Sequence, residues 1–202
     1  MKLLVLAPLR VEALAVRSAL PGVKVRRTGM GKGRVDVEDA DAVAVAGLCG
    51  AVDPDLRTGD VVLATELRSE DGETIACPGS ALLEEPLRRL RLRVRTGPLY
   101  TAGRILGPAD RRELRGSGVL AVDMESALLA EALGDRPLAV LRVVVDTADR
   151  RLASPRTLAA GIRGLWTLRR ASSALVEWVE ACRGRASQEG ATLGRVQAKE
   201  AV

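Results

Sequence analysis

The run Leu138-Ala139-Val140-Leu141-Arg142-Val143-Val144-Val145 is β-like throughout and stops at Asp146. It constrains the fold more than any other segment. Four more apolar runs, at 2–7, 42–46, 60–64 and 119–122, read as strands, and weaker strands are expected at 23–27, 92–95 and 98–102. Between them, Leu9, Ala13, Val16, Ala19 and Leu20 recur at helical spacing over 10–20, and helices are expected at 81–91, 109–115 and 125–133. From Ser154-Pro155, an N-cap followed by an N1 proline, one long helix reads to about residue 183. Strands alternating with helices define an α/β fold, a central sheet flanked by helices. At 202 residues one domain is expected, over 1–185, with the small, polar residues 186–202 as a disordered tail.

Open α/β sheets place their sites just past the carboxyl ends of strands. Three carboxylates fit that position: Glu12, Glu125 and Asp146. In Val122-Asp123-Met124-Glu125 two carboxylates flank a methionine at a strand-to-helix junction. A carboxylate there can accept both hydrogen bonds of a vicinal diol while the thioether packs a sugar face. The plainer alternative is two acids stabilising a helix N-terminus. Asp146 is equally open to reading as a solvated turn with Asp149 and Arg150.

The chain has no His and no Phe. Imidazole bases, Ser-His-Asp and Cys-His nucleophile systems and His-ligated metals are therefore excluded. Without Phe, an aromatic platform for single-stranded nucleic acid is not expected. Cys49, Cys77 and Cys182 are scattered, with no C-x-x-C pair, which suits buried thiols in a reducing cytoplasm and no metal site. Gly29-Met30-Gly31-Lys32-Gly33 matches neither G-x-x-x-x-G-K-[ST] nor G-x-G-x-x-G and reads as a turn. The net charge of +5 is spread along the chain. Its densest stretch, 87–95, alternates from residue 90 onward like a half-exposed strand with a solvated arginine face, and no nucleic-acid-binding motif accompanies it. The N-terminal apolar run is too short for a signal or a spanning helix.

Three ordered segments carry a resemblance. Ala46-Gly47-Leu48-Cys49-Gly50-Ala51-Val52-Asp53-Pro54 through Val62, then Val122-Asp123-Met124-Glu125, then Arg142 through Asp149, resemble the purine nucleoside phosphorylase and methylthioadenosine/adenosylhomocysteine nucleosidase superfamily. The resemblance spans about residues 2–180. It implies one α/β domain around a mixed, partly barrel-like sheet and cleavage of a purine nucleoside at its N-glycosidic bond. By motif position, Glu125 would bind the ribose hydroxyls with Met124 against the sugar and Asp123 beside them. Asp146 would protonate the purine at N7, and Glu12 would hold or deprotonate the attacking water. No cofactor and no metal are implied.

Departures from the pattern point to a subclass. The phosphate-binding Arg and Ser of the hexameric phosphorylases are replaced by Val45 and Leu48, leaving Arg10 as the one candidate phosphate ligand. Water is thus favoured as nucleophile, with phosphate as co-substrate in the phosphorylase alternative. Val145 stands where the nucleosidases usually have Ser, and the adenine-stacking Phe is absent. Leu48, Ile105 and Leu106 are the candidate base contacts, and region 66–96 is short. Together these suggest a 5′-substituted adenine nucleoside with an atypical or bulky, apolar substituent. The opening Ala7-Pro8-Leu9-Arg10 and the segment Val145-Asp146-Thr147-Ala148-Asp149 resemble those of the hopanoid-cluster nucleosidases or phosphorylases, which act on adenosylhopane, with futalosine hydrolase as a competing branch. A weakened homologue that only binds ligand is a further alternative. The expected partner is a small nucleoside in a cytoplasmic homo-oligomer, a dimer rather than a hexamer, with no specific nucleic acid, and peripheral membrane contact if the substrate is lipid-like.

Overall fold

The computed structural model describes residues 1–29, 37, 39–134, 136–147 and 155–200, the stretches 155–158 and 189–200 as backbone only. The expected turn at 29–33 lies outside these residues beyond Gly29, as do Asp149 and Arg150. In chain order the elements are β1 Leu3–Ala7, α1 Arg10–Ala19, β2 Lys24–Arg27, β3 Ala42–Ala51, β4 Val61–Ser69 and β5 Thr74–Ala76. A 3₁₀ turn, Pro78–Leu83, leads into α2 Glu84–Arg89, and then come β6 Val94–Thr101, α3 Pro108–Leu114, β7 Ala121–Asp123, α4 Ser126–Ala130 and β8 Leu138–Asp146. Two helices, α5 Pro155–Ser172 and α6 Leu175–Glu200, complete the described chain.

The eight strands form one mixed sheet that closes on itself in part. β3 pairs parallel with β8, β8 antiparallel with β4, β4 parallel with β6, β6 parallel with β7, and β7 antiparallel with the end of β3 at Gly50 and Ala51. Five strands thus make a ring, and β1, β2 and β5 extend it as flaps. The period-2 alternation of each strand sorts its side chains to two cores. Val5, Ala44, Leu141 and Val143 face Leu168, Leu175 and Trp178 of the outer helices. Leu4, Val43, Val140 and Val144 face Leu129 and Leu133. The indole of Trp178, fully buried, donates to the Gly79 carbonyl at 2.8 Å. A Cβ at Gly79 would lie 2.4 Å from the Leu138 carbonyl oxygen, so only glycine allows the 3₁₀ turn to seat there.

Two expectations differ from the structure, and a third, on the arginines, is met. The strands expected at 92–95 and 98–102 are one strand, β6, which continues through Gly97-Pro98 because the ladder with β4 slips between Ala64 and Leu67. The arginines of 88–95 are solvated as expected, Arg88, Arg89, Arg91 and Arg93 being exposed and Arg95 half-buried, and several carry surface ion pairs: Arg88 with Glu84, Arg89 with Glu85 and Glu177, Arg93 with Asp60 and Arg95 with Asp53. The single long helix is two, broken at Ser173-Ala174, and α6 continues to Glu200 over the stretch read as a tail. The Ala, Gln, Glu, Lys and Arg content of that stretch is compatible with helix. Among the described residues no helix is long and apolar enough to cross a membrane.

Candidate active site

Glu12, Leu48, Ile105, Leu106, Asp123, Met124, Glu125 and Asp146 all line one cavity of about 280 Å³. It lies where β1, β3, β7 and β8 end, as expected of an α/β sheet. Arg10 is not in the lining. It is exposed at the first position of α1, whereas Glu12, two residues on, points inward. Val45 is buried in the core beneath.

Each carboxylate is held differently. Glu12 is buried, its Oε2 accepting the Leu9 N–H at 2.7 Å and its Oε1 the Leu48 N–H at 2.8 Å. Both bonds come from backbone, so the side chain is fixed by α1 and β3 together. Glu125 stands at the N-cap position of α4 without a side-chain cap hydrogen bond and forms no ion pair among the described residues. Burial pushes its carboxyl up to about 7; nearby Arg142 opposes the rise, while Asp123 and Glu12 add to it. Asp146, the last residue of β8, places Oδ2 at 2.6 Å from Arg111 Nη2, in a pair buried on both sides. Its surroundings are thus those of a sequestered ion pair rather than a solvated turn.

Asp123 lines the cavity and is also bonded to its neighbours. Its Oδ1 accepts from the Thr101 hydroxyl at 2.9 Å and from the Glu125 and Ser126 N–H groups, and its Oδ2 lies 2.6 Å from Arg142 Nη2. Three donors hold Oδ1, and the Arg142 guanidinium stands beside Oδ2 as a counter-charge, so Asp123 braces the start of α4 from within the cavity lining.

Two buried arginines were not singled out from sequence. Arg142 is 1% exposed, bonds Ser126 Oγ through Nε and Nη2, and sits among Asp123, Glu12 and Glu125. Arg111 also donates from Nε to the Leu106 carbonyl at 3.1 Å. Each guanidinium lies over a glycine of β3: a Cβ at Gly47 would fall 2.3 Å from Arg142 Nη1, and one at Gly50 would fall 2.9 Å from Arg111 Nη2. A readable signal existed for Arg142, since a cation inside a strand apolar on both faces requires a buried counter-charge. Arg111, on a short amphipathic helix, carried none.

The loop with Ile105 and Leu106 is clasped by Asp110, which accepts the Gly107 N–H at 2.8 Å and both Arg104 nitrogens at 2.7 and 3.0 Å. The Arg104 hydrogen bond, with that of Gly107, holds the Asp110 carboxyl down at about 2. Asp110→Ala is expected to release this loop and raise KM several-fold with a smaller change in kcat, read by steady-state kinetics; an unchanged KM contradicts the clasp. Cys49 also lines the cavity, but burial pushes its thiol far above the usual range, so it is not a thiolate nucleophile. All three cysteines are free and buried, and the described residues contain no cluster able to hold a metal ion.

A partly closed mixed sheet, with four carboxylates lining one cavity at its end, defines the α/β class of this protein. The chain belongs to the Phosphorylase superfamily, whose family model matches residues 22–182. That match includes Glu125 and Asp146 and begins after Glu12. Among solved structures, a 5′-methylthioadenosine-bound mutant of Helicobacter pylori MTAN superposes with a TM-score of 0.74 at 19% identity, covering 89% of this chain and 98% of that one. Futalosine hydrolase of H. pylori gives 0.75 at 19%, covering 88% and 97%. The Neisseria meningitidis 5′-methylthioadenosine/S-adenosylhomocysteine nucleosidase with methylthio-immucillin-A gives 0.72 at 20%, covering 89% and 99%.

Proposed function

We propose that this protein is an N-glycosidase that hydrolyses the purine-ribose bond of a 5′-substituted adenine nucleoside. The observation that carries the reading is the convergence of Glu12, Met124, Glu125 and Asp146 on one cavity. Glu125 accepts hydrogen bonds from the ribose hydroxyls, and Met124 packs the sugar. Glu12, fixed by two backbone N–H groups, orients a water and takes its proton as the oxygen bonds to C1′. The C1′–N9 electron pair leaves with the base as Asp146, in its carboxylic acid form, passes its proton to N7; afterwards Glu12 gives the proton taken from water to solvent and Asp146 regains one from solvent. The developing positive charge on the sugar is met by anions, as an oxocarbenium-like transition state requires.

Water is favoured over phosphate because both cations of the lining are committed, Arg104 to Asp110 and Arg111 to Asp146, and Arg10 stands outside. Leu48, Leu106, Ile105 and Val145 supply the aliphatic contacts a purine needs without Phe. With Leu9 they also make the lining compatible with an apolar 5′ group, as in the hopanoid-branch reading. Incubation with adenosine, methylthioadenosine and lipid-like 5′-substituted adenosines, with and without phosphate, tests this by release of free base. Release without phosphate is expected. No release from any of them refutes the reading, and release only with phosphate establishes a phosphorylase.

The pH dependence follows from Glu125. The ionised form accepts both hydroxyl bonds, and its carboxyl sits at about 7, so kcat/KM is expected to rise about tenfold per pH unit below 7 and level off above. Glu125→Gln should lower activity and remove that limb. The same upward shift contributes stability fully present below the ordinary carboxyl range and lost as pH rises through about 7.

A further inference from the structure

We infer that the outer face of α1 and α5 docks on an anionic lipid surface. α1 and α5 pack side by side, and their outward residues include Leu14 and Trp166, each 66% exposed, and Ile162, 60% exposed. Ile162 and Trp166 are one turn apart on α5. Leu14 and Ser18 are one turn apart on α1, and Ser18 borders the same groove as Trp166, Arg169 and Arg170. The three apolar side chains therefore belong to one surface. An exposed Trp among aliphatic groups is unusual for a face left in water and suits the interface of a bilayer, where the ring is apolar and its N–H stays wet.

Charge selects the occupant. Arg163, Arg169 and Arg170 are exposed around the apolar residues and form no ion pair among the described residues. Neither helix offers them an acid: α5 has no Asp or Glu, and the only acid of α1, Glu12, is buried in the site. A second copy laid symmetrically on this face would bring arginines against arginines, whereas anionic headgroups supply the missing counter-charge. α1 also links the face to the site, because Leu9, which precedes it, is 38% exposed at the cavity rim.

The two tryptophans make the test direct, since Trp178 is fully buried and Trp166 is not. Full-length protein is mixed with vesicles of phosphatidylcholine alone or with about one third phosphatidylserine, at low salt and at ~0.5 M salt. Co-sedimentation and tryptophan emission are read together. Binding to the anionic vesicles at low salt, with a blue shift absent from Trp166→Ala, is expected. Trp166→Ala should weaken binding at least tenfold, and Arg169→Glu/Arg170→Glu at least ~20-fold, from about fivefold per arginine. The unchanged emission of Trp178 in Trp166→Ala reports that the fold is intact. Three results overturn the inference: no binding to anionic vesicles at low salt, binding that Trp166→Ala leaves intact, or a solution dimer that Trp166→Ala dissociates. Base release in detergent-free buffer is assayed in parallel, so failure here is separable from failure of the glycosidase reading.

Discussion

Asp146→Asn is expected to slow base release by roughly 10²- to 10⁴-fold, the range lost with a positioned acid or base. The substitution keeps the shape but replaces a carboxylate oxygen with an amide that carries no transferable proton. It also leaves Arg111, 4% exposed, facing a neutral partner. A thermal melt of the same variant separates the two consequences, with kinetics measured well below its midpoint. Arg111→Lys provides the complementary reading. Lys keeps the charge but loses the fork that bonds Asp146 and the Leu106 carbonyl together, so a fall in kcat with retained stability marks Arg111 as positioning Asp146. Wild-type turnover in Asp146→Asn would remove Asp146 from the mechanism.

The second large effect is on stability. Arg142→Met is expected to cost about 3–5 kcal/mol, because it leaves Asp123 buried without its cation and removes the one positive charge among Asp123, Glu12 and Glu125. Urea unfolding at two pH values checks it. The loss should shrink toward acidic pH, where carboxyls neutralise and no longer need the guanidinium. Where the variant folds, the activity limb of Glu125 should also move above 7, since Arg142 is what opposes the upward push of burial. Full stability in Arg142→Met would mean that the carboxylates are compensated elsewhere.

Much of this architecture was legible because it is written locally. The run at 138–145 became β8, the 10–20 periodicity became α1, and the acids at strand ends converged on one cavity. What was not legible depends on distant partners. Nothing near β7 in sequence says that its three residues bridge β6 to the end of β3 and close the ring. The seat of α6 depends on Trp178, whose indole bonds the Gly79 carbonyl 99 residues away. Asp123 and Glu125 look alike in Val-Asp-Met-Glu, yet one is ion-paired with Arg142 and bonded by Thr101 while the other has no ion-pair partner among the described residues. Only the three-dimensional placement of an arginine on another strand distinguishes an ion-paired acid from one without an ion pair.

The glycines under the two guanidiniums couple positions that lie far apart in the chain. With Arg142 present, Gly47→Ala drives a methyl group into Nη1, and even with a shorter side chain at 142 the same methyl lies 3.0 Å from Glu12 Oε1. A side chain at 47 is therefore expected to fit only where both neighbours give way. Gly47→Ala is thus a substitution of the charged site itself, although the residue it replaces has no side chain there.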